Sequence, residues 1–406
     1  MRSDLRRAAP AWIALAVAAL VLATPSSGAI RAVPDLSITI EQITQTTGER
    51  TVFPEISDNG NSIVFESMED LTGQNADGNE EIFLYESLSG VLTQITQTTV
   101  NSDGSKHRNT FASVNGDGTR IAFGSTADFI GLNPDGSTEI FLFDITTAMF
   151  TQITRTPMGG SKNPSISADG TRVAFVAGAD LTGDNPDWNE EIFLFDSTTG
   201  TLTQVTATSD PGTFSRTPEI SSDGSHIVFA TTGNVAGMNP DGSRDIFMFD
   251  GTLHPPISSA SPDVFFRNPS ISADGSRIAI RQTSTFGGQP HELILVLDDE
   301  GSLFVIVAEA PGERVNLPSI SADGNWVAFG SPLDPLGSNS DGNMELFLFD
   351  LTLSTYTQVT DSTQGASFTP SISAEGTRIA FASTADLTGQ NPDGNIEIFL
   401  ATAVSQ

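Results

Sequence analysis

The chain has 406 residues, no cysteine, and 50 acidic against 18 basic side chains, giving a formal net charge of −32 at pH 7. The missing thiols exclude disulfides, thiolate metal sites, a cysteine nucleophile and a lipid-modified cysteine. The acidic excess repels nucleic-acid phosphates and anionic headgroups, so it excludes nucleic acid as a partner and favours cations or basic partners.

Residues 1–29 read as an address. Arg2, Arg6 and Arg7 precede an apolar run from Ala11 to Ala23, and Ser26, Ser27, Gly28 and Ala29 follow. A charged start, a short apolar core and small residues at the exit make a secretory signal peptide. The 13 residues of the run fall short of the roughly 20 that a spanning helix needs, so cleavage after Ala29 is expected instead of membrane insertion. The remaining chain, 30–406, is expected in the periplasm or outside the cell. Three arginines and Asp4 leave with the leader, which takes the formal charge to −34.

The segment Ser37–Thr44 reads as a strand with no repeat unit of its own. After it one phrase recurs seven times, from Pro54-Glu55-Ile56-Ser57 to Pro370-Ser371-Ile372-Ser373. Its central apolar residue falls at Ile56, Val114, Ile166, Ile220, Ile271, Ile320 and Ile372, at spacings of 49–58 residues. Periods near fifty indicate propeller blades. Each unit reads as four short strands. In the third, the anchor is followed by the turn Ala168-Asp169-Gly170, then by Arg172–Phe175, Glu191–Phe195 and Thr201–Thr206. The strand before last is apolar on both faces, as a sheet sandwiched between two others requires. The seventh unit runs out after Glu397–Leu400, a third strand. Ser37–Thr44 resembles the outer strands Val91–Thr96, Met149–Thr154 and Thr355–Thr360, so it is expected to complete that blade and hide two sheet edges. The fold class is therefore all-β: a seven-bladed β-propeller closed by an N-terminal strand.

The stretch Pro164-Ser165-Ile166-Ser167-Ala168-Asp169-Gly170-Thr171-Arg172-Val173-Ala174-Phe175 resembles the WD40-like repeat of the TolB propeller family. The likeness extends over residues 36–400. It implies a propeller and a general protein-binding role, with a protein or peptide as the expected partner. TolB itself carries an α/β domain before a six-bladed propeller, and neither feature is matched here, so nothing narrower is implied.

Six units share a spaced polar series between their second and third strands. The copies are Asp70, Asn75, Asp77, Asn79, Glu81; Asp128, Asn133, Asp135, Ser137, Glu139; and Asp180, Asn185, Asp187, Asn189, Glu191. They continue as Asn234, Asn239, Asp241, Ser243, Asp245; Asp334, Asn339, Asp341, Asn343, Glu345; and Asp386, Asn391, Asp393, Asn395, Glu397. Alternating amides and carboxylates on a loop suit a hard cation, and calcium is the candidate ion. Asn-Pro-Asp-Gly is equally turn chemistry, with Asp and Asn capping the backbone, so no cofactor is required.

A second pattern is cationic. Arg50, Arg108, Lys162, Arg216, Arg267 and Arg314 lie four or six residues before the anchor, on the approach to the innermost strand. Blade connectivity puts them on the face of the acidic loops and nearer the channel. They pair with neighbouring carboxylates or form an anion or peptide-carboxylate site at the channel mouth. Unit five departs from the acidic pattern, with Thr283–His291 as a loop without the series and Leu303–Val307 as its outer strand.

Catalysis finds little support in the residues. His107, His226, His254 and His291 fall on different parts of the blades, and no Ser-His-Asp set or hydrolase domain is attached. A non-catalytic binding scaffold is the expectation. A lyase or glycosidase working at the channel mouth, through a metal or paired carboxylates, is the alternative. Unrepeated polar residues clustered in the channel would favour the enzyme.

Overall fold

The protein is described by a computed structural model covering residues 36–405 apart from 49, 101–103, 158, 210–211, 259–262 and 287–288. The leader expected at 1–29 lies outside these residues. The strands form seven antiparallel sheets, each ordered from the channel outward. Blade three is representative, with Ser161–Ile166 innermost, then Arg172–Ala177, Glu191–Asp196 and Thr201–Gln204.

The doubly apolar strands are explained by blade packing. Val173, Phe175 and Ala177 join Ile140 and Leu142 of blade two in one buried cluster. The alternate residues Ala174 and Val176 join Ile227 and Phe229 of blade four in the next. A strand whose side chains alternate between two neighbours has no solvent face to spend on polar residues. In six blades a phenylalanine on the second strand lies opposite one on the third, as Phe65 opposite Phe83 and Phe381 opposite Phe399. All twelve are fully buried, and such ring pairs add about 0.5–1.5 kcal/mol each beyond the area they bury.

Closure follows the expectation. Leu36–Gln42 pairs antiparallel with Glu397–Ser405, setting Leu36 opposite Ser405 and Gln42 opposite Phe399. Arginines add links between blades. Arg120, Arg172, Arg277 and Arg378 each donate from Nη1 to the turn carbonyl of the next blade, at Gly170, Gly224, Gly324 and Gly60. The last of these joins blade seven to blade one. Gly60 has φ of +72°, and a Cβ there would lie 2.8 Å from the Arg378 Cδ, so glycine is needed both for the turn and for the stacked side chain.

Two blades depart from the four-strand unit. Blade four has three strands, because Pro255 and Pro256 interrupt the segment along its outer edge and proline cannot donate to a ladder. In blade five the expected loop at 283–291 is instead an extended hairpin. Arg277–Phe286 and Gln289–Asp298 pair as far as Phe286 opposite Gln289, and Leu303–Pro311 forms the outer strand. Alternating Thr283 and Thr285 favour extended chain, and Gly287-Gly288 is a two-residue hairpin signal.

Candidate functional site

The innermost strands share a bulge that shapes the channel mouth. Register slips between Lys162 and Ser165 in blade three and between Arg216 and Glu219 in blade four, with equivalents elsewhere. The residue three before the anchor is left-handed there: Phe53, Phe111, Asn163, Thr217, Asn268 and Thr369 have φ of 49–55°, and all but Phe111, which precedes Ala112, are followed by proline. That conformation is costly for phenylalanine and threonine, and the bulge shared by all six strands holds it. These residues line the mouth of a central cavity of about 380 Å³.

The far end of the cavity is floored by backbone hydrogen bonds passing from blade to blade. Gly116 N–H donates to Ala168 O, Ala168 N–H to Ser222 O, Ala273 N–H to Ala322 O, and Ala374 N–H to Asp58 O. These bonds tie the blades together around the end of the channel opposite the acidic loops.

The residue before each anchor forms a ring inside this channel. Five of the seven are serines, and Ile56, Ile166, Ile220, Ile320 and Ile372 donate their N–H to the hydroxyl of the preceding blade's serine at 3.1–3.2 Å. The other two are Glu55 and Glu219. Glu55 Oε1 accepts Ser113 Oγ–H at 2.8 Å and Val114 N–H at 3.1 Å. Both residues line the cavity and are only partly exposed. Burial pushes Glu55 up to about 7, and burial with the nearby Glu55 charge pushes Glu219 up to about 8. Asp58, at a ring position held elsewhere by Gly, Ala or Ser, is raised by burial too, against the lowering effect of a Ser222 hydrogen bond. The sequence reading missed all three. Their signal was legible as carboxylates at places where the other repeats carry small residues.

The six cationic residues divide among three environments. Arg50 pairs with Glu80 and, at 3.6 Å, with Glu66, and Arg108 reaches Glu80 at 3.6 Å. Burial pushes Glu66 up to about 7, opposed by the Phe111 N–H and by Arg50 and Arg108. Lys162 and Arg216 share Glu190. Although burial alone would raise Glu190, hydrogen bonds and charge from both cations bring it below the usual range. Arg314 is exposed. Arg267 has a cationic neighbour, Arg244, which sequence reasoning passed over.

Arg244 precedes the loop acid of blade four, the place held by Glu80 in blade one and Glu190 in blade three. Its sign is reversed. Its guanidinium lies over the Phe214 ring at 4.9 Å, and that of Arg216 over the same ring at 4.3 Å. Burial first, then Arg267 and Arg216, push Arg244 down; burial first, then Arg281, push Arg267 down, with Glu292 partly opposing. Arg281 is itself paired with Glu292 at 2.7 Å. The Nε atoms of Arg244 and Arg267 are buried and accepted by no protein atom.

The acidic loops are ordered by their own side chains. Asp70 Oδ1 accepts the Asn75 N–H, and Asp128, Asp180, Asn234, Asp334 and Asp386 repeat this. The final acid locks the third strand to the chain beyond the fourth. Glu191 accepts from the Thr206 hydroxyl and from Thr208 N–H and Oγ1–H, and Glu81, Glu139, Glu345 and Glu397 do likewise. Among the described residues, no three His, Cys, Asp or Glu side chains are grouped to hold a metal ion. His107 contacts Thr126, His226 contacts Ser225, His254 pairs with Asp250 and His291 with Glu309.

No protein-family model matches the chain, and no curated protein matches it in sequence. Among solved structures, oligogalacturonate lyase from Vibrio parahaemolyticus is 15% identical, with 91% of this chain and 97% of that one covered at a TM-score of 0.57. An oligogalacturonate lyase in complex with manganese aligns equally well. TolB from Acinetobacter baumannii is 19% identical over 78% of this chain and 67% of that one, at a TM-score of 0.48. The expectation of a non-catalytic protein is corrected by the lyases, enzymes whose fold overlays almost the whole of this chain; a missing hydrolase domain is no ground for excluding catalysis. The chain is a β-propeller, and its structural neighbours include both TolB-type propellers and lyases.

Proposed function

We propose that this propeller binds an acidic saccharide at its channel mouth, with Arg244 and Arg267 receiving the ligand's carboxylates. The observation that carries the reading is the buried, unaccepted Nε of each arginine, side by side, in a chain of net charge −32. Two adjacent guanidinium groups, offset only in part by Glu292 near Arg267, are unfavourable until an anion arrives, and guanidinium–carboxylate contacts are short and strong. The mouth suits a sugar in other ways. Phe53 and Phe111 are each 36% exposed, with ring centroids 5.7 Å apart, and Asn163, Thr217, Asn268 and Thr369 supply polar groups around them. A cavity of about 380 Å³ suits a small ligand better than a protein surface. The likeness to oligogalacturonate lyases adds a precedent for acidic saccharides on this fold. The leader-like residues 1–29 fit an exported setting.

Titration calorimetry with oligogalacturonate, beside a neutral glucan of equal length, tests this. Binding of the acidic sugar alone is expected, weakened at least tenfold in Arg244→Gln/Arg267→Gln. Equal binding of both sugars, or an unaffected double variant, contradicts it.

A second reading is catalytic, favoured by the unrepeated Glu55, Asp58 and Glu219. Carboxyls raised by burial and coupled by charge, as Glu55 and Glu219 are, can share one proton, leaving an acid beside a base. Oligogalacturonate would then be cleaved, with Glu219→Gln losing turnover but keeping affinity. An uncleaved substrate at saturation rejects this reading and leaves the first intact.

A further inference from the structure

Four of the acidic loops hold amide oxygens for which the fold supplies no donor. In blade one Asn75 and Asn79 are 2% and 0% exposed. Asn75 Nδ2 donates to the carbonyls of Met68, Glu69 and Asn79 at 3.0–3.3 Å. Asn79 Nδ2 donates to Thr98 O at 2.9 Å and to Thr98 Oγ1 at 2.7 Å. These acceptors settle which way each amide faces, because a flipped amide would set oxygen against oxygen. Both Oδ1 atoms are left buried and without a donor. The same holds for Asn185 and Asn189, Asn339 and Asn343, and Asn391 and Asn395, with their Nδ2 groups committed in the same manner. Native folds leave few buried polar atoms unsatisfied, and a pair recurring at one place in four blades needs a physical cause.

Blades two and four show where the oxygens converge. Ser137 stands in place of the second asparagine, and its Oγ lies 3.1 Å from Asn133 Oδ1, 2.9 Å from Asp135 Oδ1 and 2.8 Å from Glu139 Oε1. Ser243 Oγ lies 3.3, 2.7 and 2.8 Å from Asn239 Oδ1, Asp241 Oδ1 and Asp245 Oδ2. One hydroxyl proton thus sits among three acceptors. With asparagine in that place the proton is lost and another oxygen is gained.

We propose that the Asn-x-Asp-x-Asn loops of blades one, three, six and seven each bind a calcium ion. Its ligands in blade one are Asn75 Oδ1, the Asp77 carboxylate and Asn79 Oδ1. Calcium takes six to eight oxygens, amides included, so water and backbone carbonyls complete the shell, and magnesium's strict octahedron fits such a loop poorly. Asp187, Asp341 and Asp393 are exposed, which leaves those sites open to solvent. The terminal glutamates serve the strand lock, and a single carboxylate per site implies weak binding, roughly 10⁻⁴–10⁻³ M. The six same-spaced loops of the sequence thereby separate into four that bind and two that do not.

The test is equilibrium dialysis of chelator-treated protein against millimolar calcium chloride in physiological salt, with bound metal measured by atomic absorption. Four equivalents are expected, one for each loop with paired orphan oxygens. Asn79→Ser, which copies what blades two and four already carry, should remove one equivalent with the circular dichroism unchanged, and Ser137→Asn should add one. No bound calcium, six equivalents in the wild type, or an unaltered count in Asn79→Ser would overturn the assignment.

Discussion

Two neighbouring seams of this ring use the same positions to opposite effect. Between blades three and four, Glu190 stands between Lys162 and Arg216, and both cations pair with it. Between blades four and five, Arg244 occupies the Glu190 position, beside Arg267 and Arg216. The first seam is a structural clamp. The second holds charge that the protein offsets only in part, in a chain otherwise rich in carboxylates. Because the blades share one backbone, the contrast comes down to a side chain: a repeat scaffold can turn a clamp into a binding site by reversing one sign.

Converting the second seam into the first should have the largest effect. Arg244→Glu would give Arg267 a carboxylate neighbour and remove a cation from beside Arg216, so acidic-saccharide affinity should fall by about a hundredfold or more while the melting temperature rises. Calorimetry and a thermal melt read both; loss of affinity together with loss of stability would mean that Arg244 is structural. The reverse change is milder. Glu190→Gln removes the shared partner of Lys162 and Arg216, so the melting temperature should drop by a few degrees and acidic-saccharide affinity should rise severalfold. An unchanged affinity would show that the cations of the clamp do not reach the mouth.

The smallest expected effect concerns pH. Glu55 and Glu219 titrate near 7 and 8 in the fold against a reference of 4.5. Raised carboxyls keep their protons in the fold after the unfolded chain has released them. The protonated fold is therefore favoured most below about pH 4.5, and that contribution declines as pH rises toward 8. Glu219→Gln should flatten the slope of melting temperature between pH 5 and 8 and raise the value at pH 8 by a few degrees. A slope that survives in the variant would place its origin elsewhere.

Much of the fold was legible because each repeat restates it. Seven anchors, paired apolar strands and a spare N-terminal strand require a closed ring, and Leu36–Gln42 lies where that logic puts it. The basic residues were legible as a set, but not their fates, which depend on partners such as Glu190 and Glu80 reached across a blade boundary. Arg244 was hidden by reading the loop as alternating ligands, which steps over the residue between Ser243 and Asp245. Glu55, Asp58 and Glu219 were hidden for the opposite reason: a repeat search rewards what recurs, and these matter because they do not. The hairpin of blade five was announced by Thr283, Thr285 and Gly287-Gly288, yet the loop of the other blades set the expectation there.

The central claim is that the seam between blades four and five receives the acid group of a ligand. The most direct measurement is a crystal structure of the protein with digalacturonate. The account predicts one ligand carboxylate between the Arg244 and Arg267 guanidinium groups, with a sugar ring against the mouth. A ligand carboxylate bound elsewhere, with no ligand atom in contact with those two arginines, would contradict it.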